Sequence, residues 1–135
     1  MKGMGQKLKV GVTLHVREGF QSVWENGIFQ NCAFLVQLLQ QSPAVDYVAI
    51  INPSNVKPNE AMMLDDLNLN FIGLDEAMEK LDVVIEMSAL IDDQWVLEFK
   101  RRGGKLAWMR VGNDYVIDIE RAMFNKPSGA LCSDK

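Results

Sequence analysis

A chain of 135 residues with 48% hydrophobic side chains can bury one core of ordinary domain size and has no room for a second. Eighteen acidic against fourteen basic residues leave a net charge of −4, and the longest basic run is the triplet Lys100, Arg101 and Arg102. The clustered positive face that nucleic-acid phosphates demand is therefore not expected.

The two cysteines, Cys32 and Cys132, show no C-x-x-C spacing, which argues against a zinc site; no metal and no cofactor are expected. The apolar stretches stop short of the roughly 18 residues that span a bilayer, and the first residues lack the apolar core of a signal peptide. The expectation is a cytoplasmic protein without a membrane span.

Residues 1–6 (MKGMGQ) carry no periodicity and are expected to form a disordered lead, followed by one domain over residues 7–124. The domain opens with residues 8–15 (LKVGVTLH), a short run typical of a buried strand. Four more such runs follow at 47–52 (YVAIIN), 69–74 (LNFIGL), 82–87 (DVVIEM) and 105–111 (KLAWMRV). Nearly continuous apolarity, in place of alternation, is what strands covered on both faces of a parallel sheet require. Helical segments are expected between and after them, at 23–41, 59–67, 75–81, 92–102 and 116–124. Strand and helix alternate, which predicts a Rossmann-like α/β/α sandwich with a five-stranded parallel sheet in the order 3-2-1-4-5. Residues 125–135 (NKPSGALCSDK) have no apolar period and are expected to be a linker or tail.

The first helix begins with Ser22, Val23, Trp24 and Glu25, an S-x-x-E capping box that satisfies the free amides of a helix start. At 100° per residue Asn26, Gln30, Ala33, Gln37 and Gln41 share one stripe, expected to face solvent, with Trp24, Ile28, Leu35, Leu38 and Leu39 opposite. Asn31 falls on the apolar side and needs a partner if buried. Cys32 is expected to be an inert core thiol. Gly27 costs the helix about 1 kcal/mol relative to alanine, which is explained if the helix must approach the sheet or a ligand closely. Lys100 to Arg102 followed by Gly103 and Gly104 reads as an ordinary helix end.

In an open parallel sheet ligands bind at the carboxyl ends of the strands, where strand order reverses, here between the first and fourth strands. Unusual polar residues gather there: His15 with Arg17 and Glu18 after the first strand, Glu86 and Ser88 after the fourth, and Arg110, Gly112, Asn113 and Asp114 after the fifth. The capped amino end of the first helix, with Trp24, Glu25, Asn26 and Gly27, is expected to open onto the same rim, where its free amides suit an anion or a sugar hydroxyl. His15 is either a general base or a hydrogen-bonded structural group. Glu86, a carboxylate inside an apolar strand, must be paired, exposed at the crevice or protonated, and Arg110 is its natural partner. Trp95 and Trp108 are expected in the core, whereas Trp24 is a candidate for stacking on a sugar. Turn formation after Gly112 accounts for Asn113 and Asp114 as well as binding does.

No G-x-G-x-x-G follows the first strand and no G-x-x-x-x-G-K-[ST] occurs, so a dinucleotide or P-loop site is not expected. Neither a G-x-S-x-G elbow nor an H-E-x-x-H helix is present, so hydrolase and zinc-protease readings have no support. A flavodoxin-like or response-regulator reading lacks the phosphate loop and the acidic cluster after the first strand.

Three segments resemble the amino-terminal half of an uncharacterised bacterial family: residues 22–39 (SVWENGIFQNCAFLVQLL), 75–88 (DEAMEKLDVVIEMS) and 103–124 (GGKLAWMRVGNDYVIDIERAMF). The likeness runs from about residue 10 to 129, and the strings W-E-N-G-I-F-Q-N and M-R-V-G-N-D-Y-V-I-D carry most of it. Longer members of that family are similar to B-type glycosyltransferases, in which two Rossmann-like domains face each other across a cleft. There the first domain usually holds the acceptor and the second most of the nucleotide-sugar donor.

The resemblance implies an acceptor-side domain, with substrate contacts from the 15–27 loop and the ends of the fourth and fifth strands. It also implies metal-independent sugar transfer, with His15 or Glu86 as base. A chain with only the first domain is expected to be inactive alone, binding a sugar or glycan acceptor but a nucleotide sugar only with a second domain. The rival expectation is a non-catalytic interaction or dimerisation module that uses its exposed crevice and interdomain face to bind a partner or a second copy of itself.

Overall fold

The computed structural model describes residues 5–16, 27–58 and 69–110, together with Ile119, Met123 and Phe124. Eight elements follow in chain order: β1 (Leu8–Thr13), α1 (Gly27–Gln40), β2 (Val45–Ile51), β3 (Phe71–Ile72), α2 (Leu74–Lys80), β4 (Val83–Glu86), α3 (Asp93–Arg101) and β5 (Lys105–Trp108). The five strands form one sheet in the order β3-β2-β1-β4-β5, and every neighbouring pair is parallel. This is the order expected from the alternation of strand and helix. The expected helices at 59–67 and 116–124, the capping box at Ser22 and the tail lie largely or wholly outside the described residues.

The apolar runs are continuous because the sheet is covered on both faces. Along β2 the side chains alternate: Val48 and Ile50 enter a core with Phe29, Cys32, Ala33 and Val36 of α1, while Ala49 and Ile51 enter a second core with Ala77 of α2 and with Val96 and Phe99 of α3. Gly11 of β1 lies beneath the second core. A Cβ there would come within 2.6 Å of Ile51 Cδ1 and closer still to Leu81 Cδ1, so a larger residue would have to displace the Ile51 and Leu81 side chains that seat the α2 end over the central strand.

The face that α1 buries is rotated from the expected one. Ala33 is buried, and so are Phe29, Cys32 and Val36, whereas Leu38 is 67% exposed and Asn31 is exposed, so Asn31 needs no buried partner. Small side chains such as Ala33 and Cys32 let the helix axis approach the sheet, so size at the contact, rather than hydropathy alone, selects the buried stripe. Ile28, Leu35 and Leu39 flank that stripe and pack against its edge.

α3 starts and stops on local signals. Asp92 Oδ2 accepts hydrogen bonds from the amides of Gln94 (2.9 Å) and Trp95 (3.3 Å), which satisfies two free donors of the first turn. At the other end Gly103 takes φ +97°, its amide donates to Lys100 O, and the Gly104 amide donates to Phe99 O, a Schellman closure of the kind the Gly103-Gly104 pair predicts.

Candidate functional site at the carboxyl edge of the sheet

β1 leaves the sheet at Thr13 and continues through Leu14, His15 and Val16, and polar side chains from both flanking strands fix this exit. On the β4 side, Thr13 Oγ1 donates to Ala89 O at 2.8 Å and accepts the Met87 amide at 3.0 Å. Ser88 Oγ donates to Thr13 O at 3.1 Å and accepts the His15 amide at 3.3 Å. On the β2 side, Asn52 Oδ1 accepts the amides of Val16 (3.3 Å) and Ser54 (3.1 Å), and Ser54 Oγ donates to Val16 O at 2.8 Å. The backbone that carries His15 is thus held from two directions.

Thr13, Asn52 and Ser54 were not among the candidates read from the sequence. The Asn52-Pro53-Ser54-Asn55 string does carry a local signal, since asparagine two residues before an amide favours this turn. Its grip on Val16, 36 residues away in sequence, carries no such signal.

Of the candidate residues, the structure brings His15, Glu86, Ser88 and Arg110 to the carboxyl side of adjacent strands β1, β4 and β5. His15 is exposed at the rim. Glu86 is wholly buried; its Oε1 accepts the Ile91 amide at 3.1 Å, and its carbonyl accepts the Met109 amide at 2.9 Å. The carboxylate therefore helps shape the loop between β4 and α3. Arg110 is not its ion-pair partner: the guanidinium Nε and Nη2 are buried and have no hydrogen-bond partner among the described residues.

Gly27 opens α1, is exposed, and a Cβ added to it would meet nothing within 4 Å, so close packing on the sheet does not explain this glycine. Arg17, Glu18, Trp24, Glu25, Asn26, Asn113 and Asp114 lie outside the described residues.

The amino half of α1 rests against the same strand ends. Cys32 Sγ lies 3.5 Å from Thr13 O and 3.2 Å from Met87 Sδ, and burial pushes its thiol up to about 12 despite hydrogen bonding with Ser88. It is an inert core thiol, as expected.

Trp95 stacks on Phe99 with ring centroids 5.1 Å apart and donates its indole N–H to Leu74 O. Trp108 is 39% exposed, contrary to its expected place in the core, because β5 is the edge strand of the sheet. Among the described residues, no three His, Cys, Asp or Glu side chains gather to hold a metal ion, and no helix is long and apolar enough to cross a membrane.

A cleft of about 400 Å³ opens at the opposite rim, at the amino ends of β1, β4 and β5, lined by Leu8, Leu81, Asp82, Arg102 and Lys105. It shares none of the candidate residues. The topological rule for parallel sheets favours the carboxyl side, where the order reverses between β1 and β4.

A five-stranded parallel sheet in this order, packed between α1 on one face and α2 and α3 on the other, defines a Rossmann-like α/β domain. Residues 10–135 match the family model described as protein of unknown function (DUF2827), and the chain belongs to that family. No curated protein and no solved structure matches it.

Proposed function

We propose that this domain is the acceptor-side half of a glycosyltransferase-like protein working in a reducing cytoplasm. The observation that carries the reading is the rigidly held exit of β1 at the β1/β4 switch point, which sets an exposed histidine beside Ser88 on the rim where parallel sheets bind ligands. The likeness of the 22–39 and 103–124 segments to the first domain of two-domain sugar transferases supports it.

In this reading an acceptor hydroxyl sits at the rim and a ring nitrogen of His15 takes its proton as the oxygen bonds to the anomeric carbon of a nucleotide sugar. The bond from that carbon to the diphosphate breaks, and the nucleoside diphosphate leaves with the electron pair. Exposure makes His15 the base in place of buried Glu86. Arg17, Glu18, Trp24, Glu25, Asn26, Gly27, Asn113 and Asp114 are assigned to the acceptor. The donor belongs to a second domain that these 135 residues have no length to include.

Isothermal titration of simple saccharides and of nucleotide sugars against the chain tests the division of labour. Saccharide binding that His15→Ala weakens, without tight nucleotide-sugar binding, is the expected result. Tight binding of the nucleotide sugar alone would overturn it.

A second reading, an interaction module, draws on exposed Leu90, Trp108 and Met109 after β4 and at the end of β5. Apolar side chains grouped at one edge favour association. Light scattering decides: a monodisperse monomer at high concentration counts against it.

A further inference from the structure

We propose that Arg110 is an oxyanion receptor at the carboxyl end of β5, and that the acceptor bound at this rim carries a carboxylate or phosphate. Arginine cannot shed its proton, and a guanidinium withdrawn from water without a partner is costly, so such a group calls for a counter-anion. Its Nε and Nη2 are buried and have no hydrogen-bond partner among the described residues. Their N–H bonds lie on one edge of the planar group and point the same way, the fork that two oxygens of a carboxylate or phosphate fit.

The nearest acid by topology is Glu86, whose strand residue pairs in register with Trp108, two positions before Arg110. Its Oε1 accepts the Ile91 amide, and no ion pair joins it to Arg110. Two other arginines are engaged elsewhere: Arg101 at the end of α3 and Arg102 at its cap both bind Glu98 on the helix surface. Arg110 stands two residues beyond β5, as Ser88 stands two residues beyond β4, so the fork belongs to the same rim as Ser88 and His15. The identity of the ligand as an acceptor rests on the reading above; the anion site itself does not.

Inorganic phosphate, glucuronate and glucose, each titrated against the full chain and against Arg110→Lys, test the assignment. Phosphate or glucuronate binds the unaltered chain and weakens about tenfold or more in Arg110→Lys, because a point charge does not replace the fork. Glucuronate alone identifies a carboxylate source and phosphate alone a phosphate source. No anion binding, or equal binding by Arg110→Lys, overturns the proposal.

Should the variant fail to fold, the Nε–H resonance of Arg110 in the unaltered chain, assigned through bonds, replaces it: a shift on adding either anion supports the site and no shift removes it. Glucose separates the two claims. Glucose binding indifferent to Arg110→Lys, with no anion binding, removes the arginine site and leaves the acceptor reading. Arginine-dependent anion binding without any saccharide preference supports the site and removes the acceptor reading.

Discussion

Thr13 and Ala89 are joined by a buried hydrogen bond of 2.8 Å, the hydroxyl at the end of β1 donating to a carbonyl in the loop after β4. The same oxygen accepts the Met87 amide, so one side chain ties the end of β1 to the segment after β4, at the point where the strand order reverses. Thr13→Val keeps the shape and leaves a buried carbonyl and a buried amide without this partner, for a loss on the order of 2 kcal/mol. Urea midpoints measure it, with Thr13→Ser as the control that retains the hydroxyl. An unchanged midpoint for the valine variant would show that the bond contributes nothing net.

Glu86 offers a sharper distinction between building the loop and doing chemistry. Its Oε1 accepts the Ile91 amide, and an amide oxygen can do the same. Glu86→Gln is expected to keep most of the stability, while Glu86→Ala loses about 1 to 3 kcal/mol through the stranded amide and the small void. Thermal melts of both variants give the answer, and equal losses would mean that the charge matters more than the acceptor.

Cys32 fixes the sign of one pH dependence. Its folded thiol is raised by burial from 9.0 to about 12, so the folded chain holds the proton more tightly than the unfolded chain does. The stability that this contributes is complete below pH 9 and is lost as pH climbs from there toward 12. Denaturation curves across that window should fall less steeply for Cys32→Ala than for the unaltered chain. In a Cys132→Ser background, iodoacetamide at pH 8 should leave the native thiol untouched and modify it on addition of guanidinium.

Two glycines should respond in opposite ways. A Cβ on Gly104 would lie 2.5 Å from Cδ1 and Cζ of Phe99 and closer still to Cε1, and Phe99 is locked in the core, so Gly104→Ala should cost about 1 to 3 kcal/mol. Gly27 has open space around it, and Gly27→Ala should be neutral or stabilising by up to about 1 kcal/mol. A Gly27→Ala variant that is stable yet binds saccharide worse would assign the glycine to a ligand; unaltered binding would return it to the helix alone.

The architecture was legible because each strand carries two faces of apolar side chains: Val48, Ala49, Ile50 and Ile51 serve both cores and so read as an unbroken run. The end of α3 was equally plain, since Gly103 at positive φ is a local requirement. The buried face of α1 was not, because a helical wheel ranks Leu38 above Ala33 while the sheet rewards close approach, and the apolar run around Trp108 does not show that β5 is the edge strand. At the rim, His15, Glu86, Ser88 and Arg110 stood out as polar residues at strand ends. The pairing of Ser88 with His15, 73 residues apart, and the lack of a partner for the Arg110 fork among the described residues are products of tertiary packing and leave no periodic trace.

The middle position of β1 has a temporal consequence. It pairs with β2 from residue 45 onward on one side and with β4 from residue 83 on the other, so the first strand made keeps one edge open until β4 has been made. A nascent chain that has released only its first forty residues holds an apolar strand with two open edges and no local hairpin to close either, since parallel strands need a crossover before they meet. Translation speed, and whatever shields that stretch on the ribosome, should therefore govern the yield of native domain more than the final stability does.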